Sequence, residues 1–141
     1  MDVLIKITAT IRSETEEVTE SLVRGSYYRK DDDIYLFYEG VDEETPQLIT
    51  RHRIVISGNS VDIQRSGAIR SKMHIVPSEL NQCEYETPYG SLQLDFYGIA
   101  AEAEANDEGM KLRLVYEIRL ADVPVSENEL LIEATAAEAE A

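Results

Sequence analysis

The side chains that could support chemistry in this sequence are polar residues on strand faces that are otherwise apolar. Arg65 alternates with Ile63 along one segment, so the two side chains share a face. Tyr38, His52 and Tyr116 likewise share a face with aliphatic residues of their own segments. A guanidinium binds carboxylates and phosphates, while phenol and imidazole groups supply further hydrogen bonds. Together these four side chains predict a site for a small amphipathic or anionic ligand.

The same four residues also have a purely structural interpretation. Tyrosine is an amphipathic residue that often fills protein cores. Arg65 could end its strand with its aliphatic stem buried and its guanidinium in water. The sequence therefore leaves two functions open. One is a barrel that binds a small ligand, and the other is a filled barrel that acts through its surface and its acidic loops.

Metal ligands and catalytic nucleophiles are sparse in the sequence. Cys83, His52 and His74 are the only thiol and imidazole side chains, and their spacing matches no zinc site. Cys83 lies in no nucleophile signature, and the chain has no G-x-S-x-G motif. The acidic runs at 31–33 and 42–44 lie in predicted turns and match no EF-hand. We therefore predict no metal, no cofactor and no enzymatic activity.

Charge and composition limit the partners that can be expected. The chain has 141 residues and a net charge of −15, which repels phosphate backbones and anionic lipid surfaces. We expect neither nucleic acid nor a membrane as a partner, and the oligomeric state stays open. A single cysteine cannot form an internal disulfide. The first residues lack the basic start and unbroken apolar run of a signal peptide, so a cytoplasmic location is predicted.

Alternation of apolar and polar residues with a period of two dominates the chain. It is clearest from Val3 to Ile11 and from Lys111 to Leu120. Short polar turns separate such segments, which predicts about eight to ten antiparallel strands. A long meander favours a closed barrel, because closure removes exposed strand edges. The predicted organisation is one all-β barrel domain over residues 1–135 and an alanine- and glutamate-rich tail at 136–141.

The stretch ETPYGSLQLDFYG predicts a long strand with two sharp bends. Apolar residues occupy even positions up to Phe96, but odd positions from Ile99 onward. A change of parity at Gly98 is what one extra residue in a strand, a β-bulge, produces. Pro88 and Gly90 mark a second bend just before this strand, because proline cannot donate to a ladder and glycine tolerates a positive φ.

Three short motifs, taken in order, carry a resemblance to a known family. They are RSG at 65–67, YETPYG at 85–90 and SENEL at 126–130. With these motifs in this order, the chain resembles the DUF1934 family, also called YwiB-like, over roughly residues 3–134. The resemblance implies a calycin, or lipocalin-like, antiparallel β-barrel. It implies no activity, since the family is one of unknown function.

Arg65 needs a partner if it points into such a barrel, because an unpaired buried guanidinium is costly. Glu86 has the parity of Leu92 beyond it, so we expect Arg65 to meet Glu86 or the backbone of residues 85–89. The rival expectation is that Arg65 receives a ligand carboxylate, with the tyrosines or His52 nearby. The candidate ligand-binding residues are therefore Arg65, Tyr38, Tyr116, His52, Tyr85 and Glu86.

Overall fold

The structure is a computed structural model and describes residues 1–41 and 47–137. Within those residues the chain forms ten β-strands and no helix, so none of them forms a helix long and apolar enough to cross a membrane. The predicted all-β fold is confirmed. The strands are Asp2–Arg12 (β1), Glu16–Lys30 (β2), Asp33–Val41 (β3), Ile49–Ser57 (β4), Ser60–Gly67 (β5), Ser71–Ile75 (β6), Leu80–Thr87 (β7), Gly90–Asn106 (β8), Gly109–Leu120 (β9) and Val123–Ala136 (β10).

The strands form one antiparallel sheet that curls into a nearly closed barrel. The sheet order is β6-β5-β4-β3-β2-β1-β10-β9-β8-β7, because β1 pairs with β10 as well as with β2. The two edge strands, β6 and β7, run side by side along a seam. At one end of the seam, Arg70 and Glu86 exchange both backbone hydrogen bonds at 2.9 Å. At its other end, Ser78 N–H donates to the carbonyl of Gly98 in β8 at 2.9 Å.

Antiparallel pairing puts successive connections at alternate ends of the barrel. The lower end holds Met1 and the turns at 31–32, 58–59 and 107–108, whereas the upper end holds the turns at 13–15, 68–70, 88–89 and 121–122. The lower part of the interior is filled by aliphatic side chains that alternate inward along their strands. The largest of these fully buried side chains are Ile5, Leu36, Ile54, Ile63, Ile75, Leu114, Ile132, Val3 and Val61.

Strand β8 bends where the sequence predicts. The register between β8 and β9 shifts between Gly98 and Ala100, so Ile99 is the extra residue of a β-bulge. Gly90 has a φ of +134°, a conformation that side-chain-bearing residues rarely adopt. The predicted bulge is confirmed, whereas the predicted bend at Pro88 and Gly90 is the chain-reversing turn of the β7–β8 hairpin. The alanine- and glutamate-rich stretch at 100–105 continues β8 as strand.

Some predicted features fall outside the described residues. Asp42, Glu43 and Glu44 of the acidic loop are not among them. Asp31 and Asp32 of the other acidic run form the β2–β3 turn, with φ of 52° and 72°. Of the predicted tail at 136–141, Ala136 is the last residue of β10, and residues 138–141 lie outside the described part.

Candidate ligand-binding site

Arg65 lies near the upper end of β5 and is half-buried on the inward face. Its Nη1 donates to Ser71 Oγ at 3.4 Å and contacts Met73 Sδ at 3.0 Å. Among residues 1–41 and 47–137, no carboxylate oxygen lies within 4.0 Å of the guanidinium. A guanidinium carries five N–H donors. Most of the donor capacity of Arg65 is therefore not used by the described protein groups.

The expected contact between Arg65 and Glu86 is wrong. The Glu86 side chain is exposed on the outer face of β7, and only its backbone reaches the neighbouring strand, at Arg70. The β7–β8 hairpin pairs Tyr85 with Leu92, so residues that share a face across this turn have opposite parity. Tyr85, not Glu86, therefore shares the inward face with Leu92. Nor does Arg65 hydrogen-bond to the backbone of residues 85–89 in the described structure.

Three of the predicted site residues form one row across adjacent strands. Tyr38 on β3 pairs with His52 on β4, and His52 pairs with Arg65 on β5. The rings of Tyr38 and His52 stack with their centroids 4.4 Å apart and their planes within 6°. All three residues have inward parity in their strands, as predicted. The row therefore presents a phenol, an imidazole and a guanidinium to the upper interior of the barrel.

Tyr116 on β9 lies on the opposite wall in the strand order, and Tyr85 on β7 lies across the seam from β6. Tyr116 has inward parity on β9, and burial raises its pKa, against a smaller lowering effect of the Arg65 charge. Burial also raises the pKa of Tyr38 above its ordinary value, against a smaller opposing effect of Arg65. Both phenols are therefore protonated at neutral pH and can donate hydrogen bonds to an anion.

His52 is neutral at neutral pH. Burial, followed by the neighbouring Arg65 charge, lowers the pKa of His52 to about 4. Its Nδ1 atom is fully buried and has no hydrogen-bond partner among the described residues. Since buried polar atoms are nearly always satisfied, this nitrogen is available to water or to a bound molecule. His52 thus adds a neutral hydrogen-bonding group beside the fixed positive charge of Arg65.

Three inward polar residues of the upper interior were not predicted, and they are Thr50, Ser71 and Asn128. Ser71 is buried on β6 and contacts Arg65. Asn128 is buried on β10, opposite Tyr116 on β9, and its Nδ2 donates to Ser126 Oγ at 3.0 Å. The signal for Asn128 was present in the sequence, because it alternates with the aliphatic residues Leu130 and Ile132 within and beyond the SENEL motif.

A cavity opens from the upper end of the barrel toward His52. Its volume is about 350 Å³, which falls within the range of small-molecule sites. Apart from His52, the lining consists mainly of apolar groups and small residues of the loops around the mouth. We call this space the mouth cavity, and its lining residues are Gly40, Leu48, Thr50, His52, Ala68, Ile69, Thr87, Pro88 and Tyr89.

A second opening lies along the seam between β6 and β7. This space of about 600 Å³ is lined from outside by charged residues and reaches inward to Arg65, Ser71 and Cys83. Burial raises the pKa of the Cys83 thiol, against smaller lowering effects of the Lys72 backbone and Arg65, so Cys83 is a poor nucleophile at neutral pH. Within the described ranges, no three His, Cys, Asp or Glu residues are grouped to hold a metal ion.

The shifted His52 predicts a pH dependence of stability. Because the pKa of His52 is about 4 in the folded protein and about 6.5 when unfolded, the unfolded chain binds more protons between these values. The stabilisation from neutral His52 is complete above pH 6.5 and is lost as pH falls toward 4. We expect a loss of about 2 kcal/mol from this group, after allowing for partial exposure of the ring.

Urea unfolding at pH 7 and pH 4.5 measures this effect. The His52→Gln variant should show a smaller loss of stability between the two pH values than the parent. Carboxylates also titrate in this range, so each variant is compared with the parent at both pH values. His74→Gln is the matched control, because it removes a histidine that is exposed on the outer face beside Asp62. Equal pH slopes in the parent, His52→Gln and His74→Gln would contradict the prediction.

Comparisons with known proteins bear on the fold and the family. The family model DUF1934, described as a domain of unknown function, matches residues 5–132. The chain is 25% identical over 108 residues to the uncharacterised β-barrel protein YwiB of Bacillus subtilis (strain 168), which covers 76% of this chain and 73% of that protein. The crystal structure of YwiB from Bacillus subtilis has a TM-score of 0.86 and 18% identity, and the match covers 97% of this chain and 92% of that one.

Proposed function

The chain belongs to the DUF1934 family, a domain family of unknown function, and we propose that its barrel binds a small organic anion. The anionic group lies at Arg65, and a short apolar body extends past His52, which pairs with Arg65, into the mouth cavity. Tyr38, His52 and Tyr116 supply hydrogen bonds around the anion. The proposal concerns binding without a catalytic step, and the cytoplasmic location and the absence of nucleic-acid partners remain predictions.

The observation that carries the proposal is a positive charge inside the barrel with no protein acid beside it. The described carboxylates all lie farther than 4.0 Å from the Arg65 guanidinium. Arginine stays charged at any working pH, and even partial burial of an unpaired charge carries a desolvation cost. The chain has 28 acidic residues and a net charge of −15, yet none of the described ones pairs with Arg65. A ligand anion is the partner that this arrangement fits.

The shape of the interior limits the class of ligand. The lower part of the barrel is filled by fully buried aliphatic side chains, which leaves no room for a long chain there. The upper part combines one fixed charge with neutral hydrogen-bonding groups and an apolar mouth. A planar carboxylate matches the fork of a guanidinium through two parallel hydrogen bonds. We therefore expect a small carboxylic acid with a compact apolar body rather than a long lipid.

A calorimetric titration at pH 7 with octanoate tests this proposal. Octanoate should bind with one-to-one stoichiometry, whereas octanol, which has the same chain and no charge, should bind at least about tenfold more weakly. Native mass spectrometry of freshly purified protein should in addition detect a co-purified small acid. These two measurements are independent, because the first uses a chosen probe and the second detects whatever the cell supplied.

The alternative function, a filled barrel that acts through its surface, is favoured by the fully buried aliphatic side chains of the lower part. It predicts no heat of binding with octanoate and a native mass equal to that of the bare chain. Equal affinities for octanoate and octanol would also contradict the proposal, because they would assign the binding to the apolar mouth without Arg65.

A further inference from the structure

The first half of β2 leaves the wall of the barrel. β2 pairs with β3 only from Gly25 to Lys30, whereas its ladder with β1 runs from Glu16 to Ser26. The last three residues of β3, 39–41, pair with β4 and not with β2. The separation occurs at Gly25, where a Cβ atom would overlap the carbonyl oxygen of Phe37 and the Ile5 side chain. Residues 16–24 of β2 therefore have β1 on one side and no strand of the described chain on the other.

This free edge carries exposed apolar side chains. All residues from 16 to 22 are exposed, whichever way they point. Val18 is 55% exposed and Leu22 is 69% exposed. Both lie on the outer face, where they alternate with charged residues. A long strand edge with exposed apolar residues is a site at which another strand can pair.

The backbone groups that point toward the free edge can be identified. Met1 and Tyr27 exchange both backbone hydrogen bonds, at 3.2 and 3.0 Å, so odd-numbered residues of β2 bond to β1. In an antiparallel ladder the direction of these groups alternates along the strand. The N–H and C=O groups that face away from β1 therefore belong to Glu16, Val18, Glu20, Leu22 and Arg24.

We propose that the free edge of β2 pairs antiparallel with the same edge of a second copy of this chain, so that two barrels share one continuous sheet. The two-fold axis passes through Glu20. In this register Val18 of one copy lies opposite Leu22 of the other, and Glu16 lies opposite Arg24. Each pairing occurs twice, because a two-fold interface repeats every contact.

Charge complementarity selects this register. It joins the single basic residue of the edge, Arg24, to an acid, and it joins the two exposed apolar residues to each other. Glu16 already lies 3.2 Å from Arg12 of its own copy, so the partner's Arg24 would extend an existing ion pair. The unfavourable feature is Glu20, which would face its own equivalent across the axis. The net charge of −15 adds repulsion between copies that salt should screen.

Sedimentation velocity over a concentration series tests the proposal through substitutions of opposite sign. Glu20→Thr removes the like-charge contact at the axis and should tighten the dimer about tenfold. Arg24→Glu places two acids opposite each other twice and should weaken it by at least about tenfold. The exchange Glu16→Lys with Arg24→Glu should restore the parental dimer constant to within about threefold. All three sites are exposed, so each variant should keep the fold.

Two results would overturn the inference. One is a parent protein that stays monomeric at all concentrations in 0.5 M salt. The other is a dimer whose dissociation constant is unchanged in Glu20→Thr and Arg24→Glu, which would locate the interface elsewhere. Octanoate binding is measured separately, so the failure of one proposal leaves the other intact.

Discussion

Replacing Gly98 with alanine is expected to lower the free energy of unfolding by about 3 kcal/mol. A Cβ atom on Gly98 would overlap the carbonyl oxygen of Val76, a backbone atom that cannot rotate away as a side chain can. Gly98 also joins β8 to the loop at the lower end of the seam through hydrogen bonds with Ser78 and Glu79. The substitution therefore strains the bulge and loosens the closure of the barrel. Urea unfolding at pH 7 measures the loss.

Gly90→Ala is the matched control, because alanine there is disfavoured by the backbone conformation alone and not by overlap with a neighbouring atom. Its φ of +134° disfavours alanine, but a Cβ atom there has no heavy atom within 4 Å among the described residues. Gly90→Ala should therefore cost only about 1 kcal/mol or slightly more. If Gly98→Ala unfolds at the same urea concentration as Gly90→Ala, overlap with the Val76 carbonyl oxygen does not add to the loss of stability. If both unfold like the parent, the bent-strand interpretation is wrong.

The fold could be predicted because strand alternation is a local property. A period of two needs only neighbouring residues to specify which face is buried, and the register shift at Ile99 left a visible change of parity. The departure of β2 from β3 left no such mark. It begins beyond Gly25, where the backbone approaches Phe37 closely, and this approach depends on where another strand lies and not on the residues of β2 themselves.

The site could be predicted within strands but not across a turn. Tyr38, His52 and Arg65 were identified by parity with aliphatic neighbours in their own segments, and they form one row. Alternation misplaces Glu86, because it fixes parity only within one strand and not through the turn at 88–89. Whether parity is kept or reversed there depends on the number of turn residues, and the hairpin pairs Tyr85 with Leu92.

Substitution of Arg65 by methionine is expected to weaken octanoate binding strongly while making the protein more stable. Binding should weaken at least about thirtyfold, because charge-assisted hydrogen bonds to the carboxylate are lost. The free energy of unfolding should rise by about 1 kcal/mol, because an unpaired charge in a partly buried site is replaced by an apolar side chain of similar length. Calorimetry and urea unfolding of the same preparations measure the two effects.

Arg53→Met is the control for this substitution, since Arg53 is exposed on the outer face of the same region, with its guanidinium 6.0 Å from the Tyr35 ring centroid. It should leave octanoate affinity unchanged. A binding residue is distinguished from a structural one when the substitution lowers octanoate affinity but raises the free energy of unfolding. If Arg65 were structural, its replacement would lower the free energy of unfolding, because its contacts with Ser71 and Met73 would be broken without compensation. An Arg65→Met variant that is less stable than the parent by 2 kcal/mol or more, and that still binds octanoate, would therefore assign Arg65 to the fold.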